Sequence, residues 1–135
     1  MKILGIDPGL ALIGYGLVEE SEGSFKKIDY GYISTSKDLE LPRRLGIIFD
    51  NIRLLVARFS PDELALEKLF FCKNVRTALQ VGEARGAILT AAVQEDAPVF
   101  EYTPLQVKQA VAGYGRAEKK QVQKMVALLL KLPEI

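Results

Sequence analysis

The sequence predicts an α/β domain, a five-stranded mixed sheet flanked by helices. Three observations carry that prediction. Short apolar or alternating runs at 2–7, 13–18, 25–35, 63–67 and 98–102 have strand character. Stretches at 41–59, 75–96, 104–112 and 117–132 have helical spacing or composition. The order, three strands, helix, strand, helix, strand and two helices, places a crossover between the third and fourth strands. At 135 residues the chain reads as a single domain, 1–135, with a sizeable core.

The first strand, Lys2-Ile3-Leu4-Gly5-Ile6-Asp7, runs straight into Pro8-Gly9, which stops it. Side chains alternate along a strand, so Ile3, Gly5 and Asp7 share one face and Leu4 and Ile6 the other. Apolar residues on both faces predict a central strand covered on both sides. Ile13 to Val18 follows too closely to be anything but an antiparallel partner. Glu19 to Ser24 is a polar turn, and Phe25 to Thr35 closes a meander. Gly14 and Gly16 either admit another group beside Asp7 or mark a bulge.

Leu41, Leu45, Ile48, Ile52, Leu55 and Phe59 step by four and three, which defines a helix ended by Ser60-Pro61-Asp62. Glu63 to Glu67 is the fourth strand. A helix between two strands favours a right-handed crossover to a parallel neighbour. If that neighbour is the first strand, Glu67 meets Asp7 at its carboxyl end. Lys68 to Asn74 is a loop holding Phe70 and Phe71. Val75 to Asp96 is a helix rich in small residues, suited to close packing on the sheet or on a second subunit. Pro98 to Tyr102 is the fifth strand. Thr103, Pro104 and Gln106 form a helix start with a capping box. Gly113-Tyr114-Gly115 breaks that helix, and Ala117 to Leu132 forms the last one, halted by Pro133.

Composition narrows the chemistry. No apolar run reaches the roughly 20 residues of a membrane span. The N-terminus enters a strand at once, which speaks against a signal peptide. The single cysteine, Cys72, has no internal partner, as expected of a reducing cytoplasm. Histidine is absent, so any metal falls to carboxylates and water, the ligands of Mg²⁺ or Mn²⁺. Net charge is only +1, yet residues 103–132 hold six basic side chains against one acid, Glu118. That asymmetry points to a polyanion.

Asp7 and Glu67, brought together, would repel unless a cation lay between them. Paired divalent ions can clamp the attacking and leaving oxygens of a phosphodiester, so a nuclease needs no histidine. Taken singly, Asp7 can simply cap its own turn, and Glu67 can pair with Lys68 on the surface. Lys108, Arg116, Lys119 and Lys120 flank the Gly-Tyr-Gly loop, where glycine lets N–H groups approach phosphate. They also read as a solvated helix face. Beside Lys73, Asn74 and Arg76, one exposed ring of Phe70 or Phe71 could stack on an unpaired base. Glu101 lies near a strand end and reads as a surface or helix-start residue rather than a further metal ligand.

Several of these stretches, taken in order, resemble the RuvC-type Holliday junction resolvases across essentially the whole chain. They are Gly5-Ile6-Asp7-Pro8-Gly9 with Gly14-Tyr15-Gly16, Glu67 with Phe70 and Lys73-Asn74, and Ala84-Arg85-Gly86. Pro98 to Tyr102, Gln106-Val107-Lys108-Gln109 and Ala117-Glu118-Lys119 extend the match. The resemblance implies a ribonuclease H-like fold and a homodimer. It implies Mg²⁺-dependent (Mn²⁺ as substitute) paired nicking of opposed strands in a four-way DNA junction, with a branch-migration motor as a further partner. By position, Asp7 and Glu67 match catalytic metal ligands, Lys108 and Lys119 match DNA-contacting basic residues, and Phe70 matches an aromatic near the junction centre. The 75–96 helix matches the subunit interface. The family places two more aspartates at the start of a final helix packed on the sheet. The chain reaches Pro133-Glu134-Ile135 with neither, and Glu134 matches neither. The resemblance therefore implies a domain incomplete at its C-terminus, with weak metal binding, little cleavage and retained junction binding.

Three other readings compete. A Yqgf-type nuclease shares the fold, though the loop after Glu67 and the Lys119 region argue against it. Actin-like and sugar-kinase ATPases begin with a similar strand and glycine-rich hairpin but need two domains. A non-catalytic binder of branched DNA fits the chain if the acidic cluster is incomplete.

Overall fold

A computed structural model describes residues 1–68 and 74–133. The meander comprises β1 (Lys2–Asp7), β2 (Leu12–Ser21) and β3 (Ser24–Ser34). There follow α1 (Leu41–Phe59), β4 (Glu63–Glu67), α2 (Val75–Gln94), β5 (Val99–Tyr102), α3 (Pro104–Ala112) and α4 (Lys119–Leu130). The sheet order is β3-β2-β1-β4-β5, antiparallel through the meander and parallel from β1 to β5. The predicted five-stranded mixed sheet and every predicted element are present.

The helix layer fixes which face of the sheet is buried. Leu4, Ile6, Leu17, Leu64 and Leu66 point toward α1 and α2 and pack with Ile48, Ile52, Val56, Ala84, Ile88, Ala91 and Ala92. Each fully buried leucine or isoleucine contributes about 1.5–3 kcal/mol. The opposite face departs from the expectation of a strand covered on both sides. There Ile3 and Gly5 are half-buried and Asp7 is exposed, and Tyr30 and Tyr32 are exposed as well. α4 packs against α3 and touches β3, so the chain after β5 passes from one edge of the sheet to the other.

Element ends shift where tertiary pairing overrides local pattern. β2 runs on through Glu19 to Ser21 because β3 pairs with it, setting Glu19 opposite Lys26. The reversal is confined to Glu22 and Gly23, both with positive φ. The irregularity in β2 lies at Leu17/Val18, so neither Gly14 nor Gly16 marks a bulge. α2 ends at Gln94 and α4 at Leu130, where Lys131 turns left-handed.

The turn after β1 is held from below. Thr35, buried at the end of β3, donates its hydroxyl to the Leu10 carbonyl (2.6 Å), and its N–H donates to the Ala11 carbonyl (3.0 Å). Arg44 Nε on α1 donates to Thr35 Oγ1 at 2.9 Å. Within this turn only glycine fits at position 9, since a Cβ there would lie 2.4 Å from the Leu12 carbonyl oxygen. Gly9→Ala should cost about 1–3 kcal/mol, the usual penalty of overpacking. Gly16→Ala meets nothing within 4 Å and should be neutral or stabilising by up to about 1 kcal/mol. Denaturant unfolding of the two variants checks the contrast.

Candidate metal and nucleic-acid site

Register places the two acids. Ile6 pairs with Leu66 across the parallel β1–β4 ladder, so Asp7 and Glu67 stand side by side one step further on. Both face away from α1 and α2, at the carboxyl ends of their strands, where ligands of open α/β sheets gather. Asp7 pairs on its other side with Gly14, and Gly14 with Tyr32. Glu67 pairs on its far side with Tyr102. The row therefore reads Tyr32, Gly14, Asp7, Glu67, Tyr102. A Cβ on Gly14 would sit 4.0 Å from that of Asp7. The open floor beside Asp7 is thus the work of that glycine.

The pair carries an electrostatic signature. Burial pushes the Glu67 carboxyl above its ordinary value, and the neighbouring Asp7 charge and a side-chain hydrogen bond to Asp7 push it further. The positive charge of Lys108 opposes the rise. Two carboxylates placed side by side form a hard, oxygen-only donor set, which suits a divalent cation such as Mg²⁺. Among the described residues no group of three or more acids, histidines or cysteines is placed to hold a metal.

The remaining candidates distribute unevenly. Lys108, half-buried on α3, is brought to the acid pair. Arg116, Lys119 and Lys120 are exposed at the start of α4. The first turn of α4 contains no acid, and its N-cap Glu118 makes no side-chain cap. Positive charge at a helix N-terminus is unfavourable on its own, which suits a start that meets an anion. Arg76 is exposed in the first turn of α2. Asn74 caps that helix, accepting from the N–H groups of Arg76 (3.0 Å) and Thr77 (3.3 Å). Phe70 and Lys73, with Phe71 and Cys72, lie outside the described residues.

The Gly-Tyr-Gly loop has local reasons for its glycines. Gly113 caps α3 in the left-handed region, and Gly115 leaves room for Leu105. Glu101 is not beside the acid pair. It pairs with Leu66, so it faces the helix layer, where Arg85 of α2 takes its carboxylate. Sequence reasoning missed Tyr32 and Tyr102 as flanks of the site. Their signal was strand parity, visible only once the register of three strands was known.

Sheet order, crossover and helix placement are those of the ribonuclease H-like fold. The family model described as "Crossover junction endodeoxyribonuclease RuvC" matches residues 3–135. A protein of that name from Petrotoga mobilis is 58% identical over 132 residues, covering 98% of this chain and 81% of its own. Its counterpart from Halothermothrix orenii is 56% identical over 135 residues, covering 100% and 82%. The structure of T. thermophilus RuvC in complex with a Holliday junction substrate superposes with a TM-score of 0.94 at 37% identity, covering 99% of this chain and 82% of that one. The chain belongs to the RuvC family of crossover junction endodeoxyribonucleases.

The raised Glu67 carboxyl has a measurable consequence. The folded chain binds this proton more tightly than the unfolded chain does. That stabilisation is complete below the ordinary carboxylate range and is lost as pH rises through the raised value. Glu67→Gln, which stays neutral, should therefore gain stability over the parent at pH 8 relative to pH 4, read by thermal unfolding without divalent ions. Mg²⁺ should raise the parent's midpoint at pH 8 and leave the variant's unmoved. A difference constant across pH refutes the coupling.

Proposed function

We propose that this chain acts on four-way DNA junctions as a Mg²⁺-dependent endonuclease, with Mn²⁺ a workable substitute. The observation that carries the reading is the convergence of Asp7 and Glu67, remote in sequence, at the rim of β1 and β4. When bound there, the cation would activate water and steady charge on the scissile phosphate. Asp7 and Glu67 would hold it through their carboxylate oxygens. Lys108 brings positive charge to the same rim, placed to hold a phosphate oxygen while partly offsetting the acids. Lys119, Lys120 and Arg116 bind the phosphodiester backbone at the start of α4. Arg76 and the amide of Asn74 bind it at the start of α2, with Lys73 and a base-stacking Phe70 in the sequence between them and Glu67.

A second copy completes this reading. Val75, Leu79 and Val93 on α2 are 71%, 61% and 66% exposed. They share a stripe with Gly82 and Gly86, neither of which would meet an atom within 4 Å if given a Cβ. That stripe lies away from the buried Ala84, Ile88, Ala91 and Ala92, and it fits a two-fold helix contact. Two sites related by that axis would nick opposed strands symmetrically. A branch-migration motor is a further expected partner, carried by family resemblance alone. No described helix is long and apolar enough to cross a membrane. A DNA substrate suits a cytoplasmic site of action.

A second reading, junction binding with little hydrolysis, is favoured by the finding of only two acids at the rim among the described residues. Both readings are tested by offering the chain a labelled four-way junction with Mg²⁺. Slow nicking that disappears in Asp7→Asn, with junction binding kept or tightened, is expected. Hydrolysis that survives Asp7→Asn removes that residue from the site, and failure to bind the junction removes the reading. Vigorous nicking would show that the pair suffices.

Salt dependence separates the basic residues. Deleting a side chain that neutralises one phosphate should flatten the slope of log K against log salt by about 0.9. Lys119→Ala should show that change in a junction-binding titration; an unaltered slope would remove Lys119 from the interface.

A further inference from the structure

We propose that Arg85 is a positioning residue for this site: by holding Glu101 it fixes the end of β5, and through it the start of α3 and the place of Lys108. The inference rests on the reading of Asp7, Glu67 and Lys108 as one site. β5 is a four-residue edge strand with β4 as its only strand neighbour among the described residues. Glu101, Phe100 and Tyr102 are all exposed, so little packing restrains its end. Three interactions do. In the plane of the sheet, the Lys68 N–H donates to the Tyr102 carbonyl at 2.7 Å. Just beyond, Thr103 and Gln106 close a capping box that starts α3. On the helix-layer side, Arg85 Nη2 donates to Glu101 Oε2.

The Arg85 contact is the one that ties β5 to a helix by charge. The Arg85 and Glu101 side chains are 15% and 35% exposed, against 44% and 24% for Arg53 and Glu95. The guanidinium end of the pair is sheltered, and its charge is screened less by solvent. The Arg85 Nε is buried without a hydrogen-bond partner among the described residues. Losing Glu101 would leave still more of the guanidinium unsatisfied, so the pair is strongly held. Glu101 pairs with Leu66 and Tyr102 with Glu67. The latch on one face of the sheet therefore lies one residue from the acid on the other. Five residues past the Thr103 cap, α3 brings Lys108 to that acid.

The test is residue-resolved lysine labelling by reductive methylation, read by mass spectrometry on the folded chain. In Arg85→Gln and in Glu101→Gln, Lys108 should label several-fold faster, as expected when it is no longer held toward Glu67. Lys2, Lys119 and Lys120 should keep their rates, and Arg85→Lys should fall between. Thermal unfolding confirms that each variant is folded. An unchanged Lys108 rate overturns the proposal. So does a rise shared by all lysines, or failure of both variants to fold, since either would assign the pair to general stability.

Junction affinity keeps the two readings apart. If Arg85 acts through Lys108, Arg85→Gln should weaken binding in the parent and add nothing in Lys108→Ala; additive losses overturn the proposal. If Lys108→Ala alone leaves binding unchanged, the assignment of Lys108 as a DNA contact fails, while the labelling result still decides the positioning role.

Discussion

Two carboxylates stand side by side against their own repulsion because the β1–β4 register leaves them no alternative. Leu4, Ile6, Leu64 and Leu66 are buried under α1 and α2, and slipping β4 by one residue would turn those leucines outward. Removing one of them costs about 2–5 kcal/mol, far more than relieving a single repulsion at the rim returns. The apolar face thus determines the polar one. What the fold cannot relieve, a proton on Glu67, whose carboxyl is raised above its ordinary value, or a divalent cation would relieve in its place.

Much of this was legible in the sequence. Alternation separated Leu4 and Ile6 from Asp7, and Leu64 and Leu66 from Glu67. The helix between the third and fourth strands implied the parallel neighbour that joins them. The capping box at Thr103 and Gln106 was readable because it depends on residues three apart. The full length of β2 was not readable. Glu19 and Glu20 look like turn residues until Lys26 and Phe25 are set opposite them. Coverage of the sheet on both faces was over-read from Ile3 and Gly5, which are only half-buried. Arg85 and Glu101 gave no local signal, because their meeting depends on how α2 lies against β5.

Charge is organised in the same layered way. The helix layer holds Arg85 with Glu101 and Arg53 with Glu95, where opposite charges answer each other within the chain. At the rim and at the start of α4 they do so only in part, Lys108 opposing the acid pair without matching it. Asp7 and Glu67 face each other, and Lys119 and Lys120 sit in a helical turn without an acid. Membership of the RuvC family gives these imbalances a common sense. A backbone of phosphates and its accompanying cations would supply both missing signs.

The lysines that open α4 carry one more consequence. Their charge works against the helix they begin, so that turn is least secure when nothing is bound. A phosphate placed there would serve as the absent cap, and the free energy gripping it would be the same free energy that winds that first turn. Grip and order are then a single quantity, and each rises only as the other does.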